Sequence, residues 1–296
     1  MKTGEIFISE IAELLGVSFC GENYLIDGLN LVNRETLKSS IISYLSSVRY
    51  SKYLDANFKV KALFVTSDIF KEINTKYRNI TYIIVNNPEV VFYNLHQHLY
   101  NYTAFYNIYN FTKRIGIGCN IHESVICEDG VIIGDNVSIG HKSVIKKGTI
   151  IKNNSTIGCG CIIGSEGFQL IKDSNDDNIL LKHTGGCYIG EFVYIGDNST
   201  VCKSLFEGYT TIGDKTKIDN LVHIAHNCLI GRNCVITAGV ILSGTTIIRD
   251  NVWIAPNSTI LNRVILENNS KVGIGAVVLK NVLSGSTVLG NPAKEI

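Results

Sequence analysis

Ile212-Gly213-Asp214-Lys215-Thr216-Lys217-Ile218-Asp219-Asn220-Leu221-Val222-His223-Ile224-Ala225-His226-Asn227-Cys228-Leu229-Ile230 decides the fold. Its large aliphatic residues, Ile212, Ile218, Ile224 and Ile230, recur every six positions. That period matches neither an α-helix, at about 3.6 residues per turn, nor a long strand, whose side chains alternate from face to face. It matches a short strand followed by a tight turn, with the aliphatic residue pointing inward. Continued toward the C-terminus, the step lands on Ile236, Leu242, Ile248, Ile254, Ile260, Leu266, Val272 and Val278. Toward the N-terminus the phase slips by one residue, then runs through Val201, Ile195 and Ile189. After an interruption it continues through Ile163, Ile157, Ile151, Ile145, Ile139, Ile133, Cys127, Ile121 and Ile115. Every position is apolar in a chain that is 45% hydrophobic.

Four residues after each aliphatic position comes a smaller one, such as Cys119, Val137, Ser143, Thr149, Ser155, Cys161, Val222, Cys228, Cys234 or Ala276. Glycine often follows the aliphatic residue directly, as at Gly134, Gly196 and Gly231. Three hexads close a triangular coil with the small residue at the corner, and stacked coils bury a continuous aliphatic ladder. The ladder is long enough for about eight coils. The general rule for parallel crossovers would make the coil right-handed.

The first hundred residues lack the period. Ile6–Leu15 reads as a short amphipathic helix, Ala62–Val65 and Tyr82–Val85 as buried strands, and Glu89–Tyr100 as a helix. The predicted organisation is a small α/β nucleotide-binding domain over 1–100, a linker over 101–114, and a β-helix over 115–296. The stretch 165–187 interrupts the coils, and its polar middle, Lys172-Asp173-Ser174-Asn175-Asp176-Asp177-Asn178, must loop out.

Composition narrows the partners. A formal net charge of +1 gives no electrostatic case for nucleic acid or an anionic membrane. No apolar run is long enough to span a bilayer, and the opening residues carry no signal-peptide core, so the expected compartment is the cytoplasm. The nine cysteines include no C-x-x-C pair, and several fall in the small-residue slot of the repeat, so neither disulfides nor a metal site is expected.

The register also singles out residues for chemistry. Ile224 points inward, so His226, two positions on, points away from the coil axis. An imidazole there can take a proton from an attacking amine or hydroxyl; the alternative is a solvated turn histidine. One 18-residue coil later comes Gly244, whose unobstructed N–H can meet an oxyanion, unless it is simply a turn glycine. Asp219, one hexad before His226, can bind substrate or orient the base, or is a surface carboxylate.

At these residues the chain resembles a known family. Ile218-Asp219-Asn220-x-x-x-Ile224-Ala225-His226-Asn227, Ile163-Gly164-Ser165-x-Gly167-Phe168 and Gly185-Gly186 are similar to motifs of the UDP-3-O-acylglucosamine N-acyltransferases. Ile42-Ser43-Tyr44-Leu45-Ser46-Ser47-Val48-Arg49-Tyr50 resembles that family's uridine-binding segment. The resemblance implies a left-handed parallel β-helix, mainly β, behind the α/β domain. It implies His226 as general base, the Gly244 N–H as oxyanion donor, and Tyr44 and Tyr50 around a nucleobase, with Ser47, Asn220 and His223 as further substrate contacts. It also implies a homotrimer in which an amine attacks an acyl thioester without a covalent enzyme intermediate.

Three departures qualify it. Ser47 stands where the family usually has Asn. Asn262-Arg263 replaces a second family histidine. The C-terminal helical extension that engages acyl carrier protein is replaced by Gly290-Asn291-Pro292-Ala293-Lys294-Glu295-Ile296. That ending resembles the coenzyme A end of sugar acetyltransferases, with Lys280 and Lys294 as candidate phosphate contacts. The leading expectation is therefore acetyl transfer from acetyl-CoA to the amine of a UDP- or dTDP-linked amino sugar. The alternative is the lipid A enzyme itself, with acyl carrier protein as donor. A γ-type carbonic anhydrase and a non-catalytic β-helix scaffold are the rivals from other classes.

Overall fold

The computed structural model describes residues 4–34, 36, 38–106, 109–172 and 175–296. Residues 107 and 108 of the expected linker and Asp173-Ser174 of the expected polar loop lie outside them. The chain divides into two compact units. One is Met1–Ile108 with Gln169–Thr184, and the other is Tyr109–Phe168 with Gly185–Ile296.

The second unit is a left-handed parallel β-helix. Its two- to four-residue strands stack into three sheets of eight, eight and ten strands, which form the faces of a triangular prism. Face one includes Thr149–Ile151, Gly186–Ile189, Tyr209–Ile212, Leu229–Ile230 and Ile247–Ile248. Face two includes Thr156–Ile157, Tyr194–Ile195, Lys217–Ile218, Val235–Ile236 and Trp253–Ile254. Face three includes Ile162–Ser165, Thr200–Cys202, His223–Ile224, Ile241–Leu242 and Thr259–Ile260. Successive strands pass from face to face, so each ladder residue sits above its counterpart in the coil before, as Leu242 does on Ile224 and Ile260 does on Leu242.

From Ile133 to Val278 every ladder residue is at most 2% exposed. The corner residues are buried with them; several polar ones bond to backbone, whereas the Thr149 and Ser270 hydroxyls have no hydrogen-bond partner among the described residues. The Ser143 hydroxyl donates to the Gly158 carbonyl at 2.7 Å and accepts from the Cys161 N–H at 3.0 Å. Ser155 does the same with the Gly190 carbonyl and the Val193 N–H. A small hydroxyl fits a corner where a larger side chain would not, and its hydrogen bonds offset the cost of burying it.

Regular rungs are 18 residues apart. The last coil shortens the spacing to 16, and two rungs depart by insertion, with spacings of 38 and 23. Both departures fall on the same edge of the prism, where the chain turns from face three to face one. The first insertion follows Ile162–Ser165 and carries the segment 169–184. The second lies between Thr200–Cys202 and Tyr209–Ile212 and consists of residues 203–208. The slip of one residue read from the sequence is therefore an added five-residue excursion, because 11 positions separate Val201 from Ile212 where a plain hexad would need six.

The first unit holds a five-stranded sheet in the order Phe19–Cys20, Thr81–Ile84, Val60–Val65, Ile41–Tyr44, Gly28–Leu29. The last four strands run parallel, and the first is antiparallel to its neighbour. Helix α1 is Ile8–Leu15, ended by Gly16 in the left-handed conformation. Helix α2 is Ser67–Ile73, capped by the Thr66 hydroxyl. Helix α3 is Pro88–Tyr102, begun by the Asn87 side chain, which accepts the Val90 N–H, with Pro88 in the first turn. Ile6 and Phe7, expected as helix, instead pair with Ile26 and Leu25 as a short antiparallel ribbon. The inserted segment carries secondary structure as well: Leu170–Lys172 and Asn178–Leu180 pair as antiparallel strands, so the polar stretch begins and ends in strand. Lys182 ties the segment to α3. Its N–H donates to Gln97 Oε1 at 3.2 Å, and its carbonyl lies 2.7 Å from His96 Nε2.

Candidate active site

The edge that takes both insertions also carries His226. The turn from His223–Ile224 to Leu229–Ile230 is Ala225-His226-Asn227-Cys228, with Asn227 in the left-handed conformation at φ 60°. Asparagine tolerates this region better than most residues. His226 is not a solvated turn histidine, since only 8% of its surface is exposed.

The hydrogen bonds around Asn227 fix the state of the imidazole. The Leu205 N–H donates to Asn227 Oδ1 at 3.0 Å, and Asn227 Nδ2 donates to Ser204 Oγ at 2.6 Å. A backbone N–H can only donate, so the atom facing Leu205 is the amide oxygen. His226 Nδ1 lies 3.0 Å from that same oxygen. Nδ1 therefore carries the proton, and in the neutral ring the lone pair is on Nε2, the position a general base requires.

Gly244 lies one coil beyond. A Cβ built on it would sit 2.8 Å from both Cε1 and Nε2 of His226, closer than real side chains approach. The basic edge of the ring thus rests on bare glycine backbone. At several corners of the prism's other two edges the equivalent N–H is capped from the next coil. Arg232 N–H donates to Asp250 Oδ1, Asp250 N–H to Asn268 Oδ1, and Asp197 N–H to Asn220 Oδ1. Among the described residues no acceptor takes the Gly244 N–H. A backbone donor left open beside a basic imidazole can stabilise an oxyanion.

The other expected residues are more dispersed. Asp219 and Asn220 are exposed and lie at the corner between faces two and three, one prism edge away from His226. Asp219 Oδ1 accepts the Asn220 N–H, and Asn220 Oδ1 caps Asp197. His223 projects outward from face three between Thr200 and Ile241, and partial desolvation lowers its pKa. Asn262 and Lys280 continue the column that begins with His226 and Gly244, and Lys280 is exposed about 14 Å away at about 4.8 Å per coil. Lys294 is exposed in the terminal ribbon, Thr287–Leu289 with Lys294–Glu295.

In the first unit, Tyr44 packs its ring on Phe92 and Tyr93, with centroids 5.1 and 5.9 Å away, and donates to Glu89 Oε1 at 2.9 Å. Burial, together with the neighbouring Tyr93 and Glu89, pushes its pKa up. Tyr50 accepts from Arg49 at 2.7 Å, and the Arg49 guanidinium lies over its ring. Ser47 caps the 3-10 helix Val48–Asp55 and accepts the Tyr50 N–H with its carbonyl. Sequence reasoning missed Asn227 and Ser204. Asn227 was visible as the residue after the histidine, but Ser204 reaches it across a 23-residue coil whose length the six-residue period does not reveal.

Comparison with known proteins shows the family. Residues 209–244, the stretch from the second insertion to Gly244, match the bacterial transferase hexapeptide model. The chain is 32% identical over 299 residues to a UDP-3-O-acylglucosamine N-acyltransferase of Campylobacter lari, covering 96% of this chain and 91% of that protein. It is 36% identical over 141 residues to a protein of the same name from Caulobacter sp., where the match spans 48% of this chain and only 41% of the relative. Among solved structures, a UDP-N-acetylglucosamine acyltransferase from Bacteroides fragilis superposes with a TM-score of 0.57 at 25% identity, over 63% of this chain and 71% of that one. The corresponding enzyme from Campylobacter jejuni gives 0.56 at 22%, over 62% and 69%, a likeness of fold. With a buried imidazole on bare glycine backbone and a near full-length relative, the chain belongs to the UDP-3-O-acylglucosamine N-acyltransferases, a family of hexapeptide-repeat acyltransferases.

Proposed function

We propose that this protein transfers an acyl group from a thioester to the amine of a UDP-linked 3-O-acylglucosamine. The observation that carries the proposal is the His226–Gly244 pair: an imidazole fixed with its Nε2 lone pair over a glycine whose N–H is open. His226 Nε2 takes a proton from the amine as its nitrogen attacks the thioester carbonyl. The carbonyl oxygen becomes an oxyanion and accepts the Gly244 N–H. The C–S bond then breaks, the acyl group stays on nitrogen, and the imidazolium returns the proton to the departing thiolate.

Of the two donor readings raised by the sequence, the near full-length relative supports the lipid A enzyme with acyl carrier protein better than acetyl transfer from acetyl-CoA. Family membership also stands against the carbonic anhydrase and scaffold readings. Lys280, in the column of His226, suits the phosphate that both donors carry, and Lys294 is a second candidate. Asp219, Asn220 and His223 remain proposed acceptor contacts, as do Tyr44, Ser47 and Tyr50, although Tyr44 already has partners within its own unit. A homotrimer fits the surface of the prism. Face one presents Ile132, Ile150, Leu229, Ile247 and Ile265 outward, and face three presents Ile126, Val144, Ile162 and Ile241. Face two presents Asn120, Ser138, Thr156, Lys217 and Lys271, together with the apolar Tyr194, Val235 and Trp253. Faces one and three flank the His226 edge, so burial of their aliphatic residues against neighbouring copies would enclose the site between subunits. Absence of metal dependence and a cytoplasmic site of action belong to the same reading; none of the described helices is long and apolar enough to cross a membrane.

The test is turnover of UDP-3-O-acylglucosamine with hydroxyacyl-loaded acyl carrier protein and, separately, with acetyl-CoA. Activity with the carrier protein is expected. Activity with acetyl-CoA alone would return the donor assignment to the sugar acetyltransferases.

A further inference from the structure

The second insertion, residues 203–208, lies in the coil directly before His226 and on the same edge of the prism. It is firmly seated. The Lys203 N–H donates to the Ser165 carbonyl, the Ser204 N–H to the Gly186 carbonyl, and the Gly185 N–H back to the Ser204 carbonyl. Lys203 Nζ lies 2.7 Å from Glu166 Oε1, with only 17% of the lysine side chain exposed. Leu205 and Phe206 are each 1% exposed. The loop packs so closely on Gly185 that a Cβ there would meet the Phe206 carbonyl oxygen at 2.2 Å. Such a loop holds its polar groups in fixed positions, and two of them, the Leu205 N–H and the Ser204 hydroxyl, grip the two ends of the Asn227 amide.

An amide has two ends of opposite character. With its nitrogen toward His226, it would donate to Nδ1, and the neutral ring would carry its proton on Nε2, where it cannot act as a base. We infer that loop 203–208 is a positioning device that selects the active tautomer of His226, with Ser204 as the positioning residue acting through Asn227. The Leu205 N–H can only donate and so selects the amide oxygen, and the Ser204 hydroxyl, accepting from the amide nitrogen, holds the opposite end in that orientation. The five residues that break the six-residue period thereby acquire a role in the reaction. This rests on the reading of His226 as general base.

The test combines 15N NMR of histidine-labelled protein with the pH dependence of kcat. In the unmodified protein at neutral pH, His226 is expected to show a protonated Nδ1 and a bare Nε2. A catalytic imidazole held in the wrong tautomer loses up to about 10⁴-fold in kcat. Ser204→Ala removes one of two restraints, so a smaller loss is expected, about tenfold in kcat, with KM unchanged and a mixed tautomer signal. Ser204→Thr keeps the hydroxyl and should restore both. Asn227→Asp places a carboxylate on Nδ1 and should move the acid limb of the kcat profile to higher pH. An Nε2–H tautomer in the unmodified protein would overturn the inference, and so would a Ser204→Ala variant that keeps both its tautomer and its kcat. A fall in kcat with the tautomer unchanged would also overturn it, by assigning Ser204 a merely structural role. The tautomer measurement needs no turnover, so its failure is distinguishable from a failure of the general-base assignment, which His226→Ala reports.

Discussion

Gly244→Ala separates a conformational role for this glycine from a steric one. Gly244 is not in the left-handed region, so its backbone accepts alanine without strain. The added methyl carbon is the whole perturbation, and it falls 2.8 Å from Cε1 and Nε2 and 3.4 Å from Cδ2 of His226. Ordinary contact begins at 3.4 Å, so the ring must retreat by at least about 0.6 Å at its basic edge. It cannot do so by simple rotation, because Asn227 holds Nδ1 and is itself held by Leu205 and Ser204. A misplacement of about 1 Å costs about 10²-fold in rate, so a loss of about 10- to 100-fold in kcat is expected. Overpacking should lower stability by about 1–3 kcal/mol, while the β-helix stays folded. The assay is steady-state kinetics with hydroxyacyl carrier protein, with circular dichroism as the folding control. A folded Gly244→Ala protein with unchanged kcat would refute the reasoning, since the methyl group would then have displaced nothing that matters.

Other perturbations give distinct signatures. Ile236→Ala empties a fully buried ladder position away from the His226 edge; it should cost about 2–5 kcal/mol in urea unfolding yet leave kcat per folded molecule unchanged. His96 is buried between Tyr106 and the Lys182 carbonyl, and burial lowers its pKa from 6.5 to about 4. The unfolded chain therefore binds the proton first as pH falls. The stabilisation is complete above about pH 6.5 and is lost progressively down to about pH 4, a loss of about 3 kcal/mol. Urea titrations between pH 7 and 4 should show this slope and find it reduced in His96→Gln. Lys280→Ala should raise KM for the thioester donor roughly fivefold without changing KM for the nucleotide sugar; an unchanged donor KM would remove Lys280 from the donor site.

The architecture was legible because burying one large aliphatic residue per short strand leaves a period that no helix or long strand shares. The same regularity placed Gly244 beside His226, since no insertion separates those two coils. Where the coil is irregular, the period misleads. The 11 positions from Val201 to Ile212 read equally well as two hexads short by one or as one hexad with five residues added, and only the pairing of Val201 with Ile224 decides between them. The insertion at 165–187 read as a polar excursion because the hydrophilic run 172–178 in the sequence outweighs the short strands that overlap its ends, Leu170–Lys172 and Asn178–Leu180. The protonation state of His226 was not legible, because it depends on Leu205 and Ser204 more than twenty residues away. Asp219 lay seven residues before the histidine in the motif, but the triangular coil carries it to another edge of the prism. Tyr44 sat in the segment expected to hold a nucleobase, but its packing on Phe92 and Tyr93 depends on a helix more than forty residues later in the chain.

The central claim is that His226 is the base for acyl transfer at the edge it shares with Gly244. Its most direct test is kcat of His226→Ala, shown to be folded, with UDP-3-O-acylglucosamine and hydroxyacyl carrier protein at neutral pH. The predicted result is a loss of about 10²–10⁴-fold in kcat, as expected when a general base is removed. A variant that turns over at the wild-type rate would contradict the account.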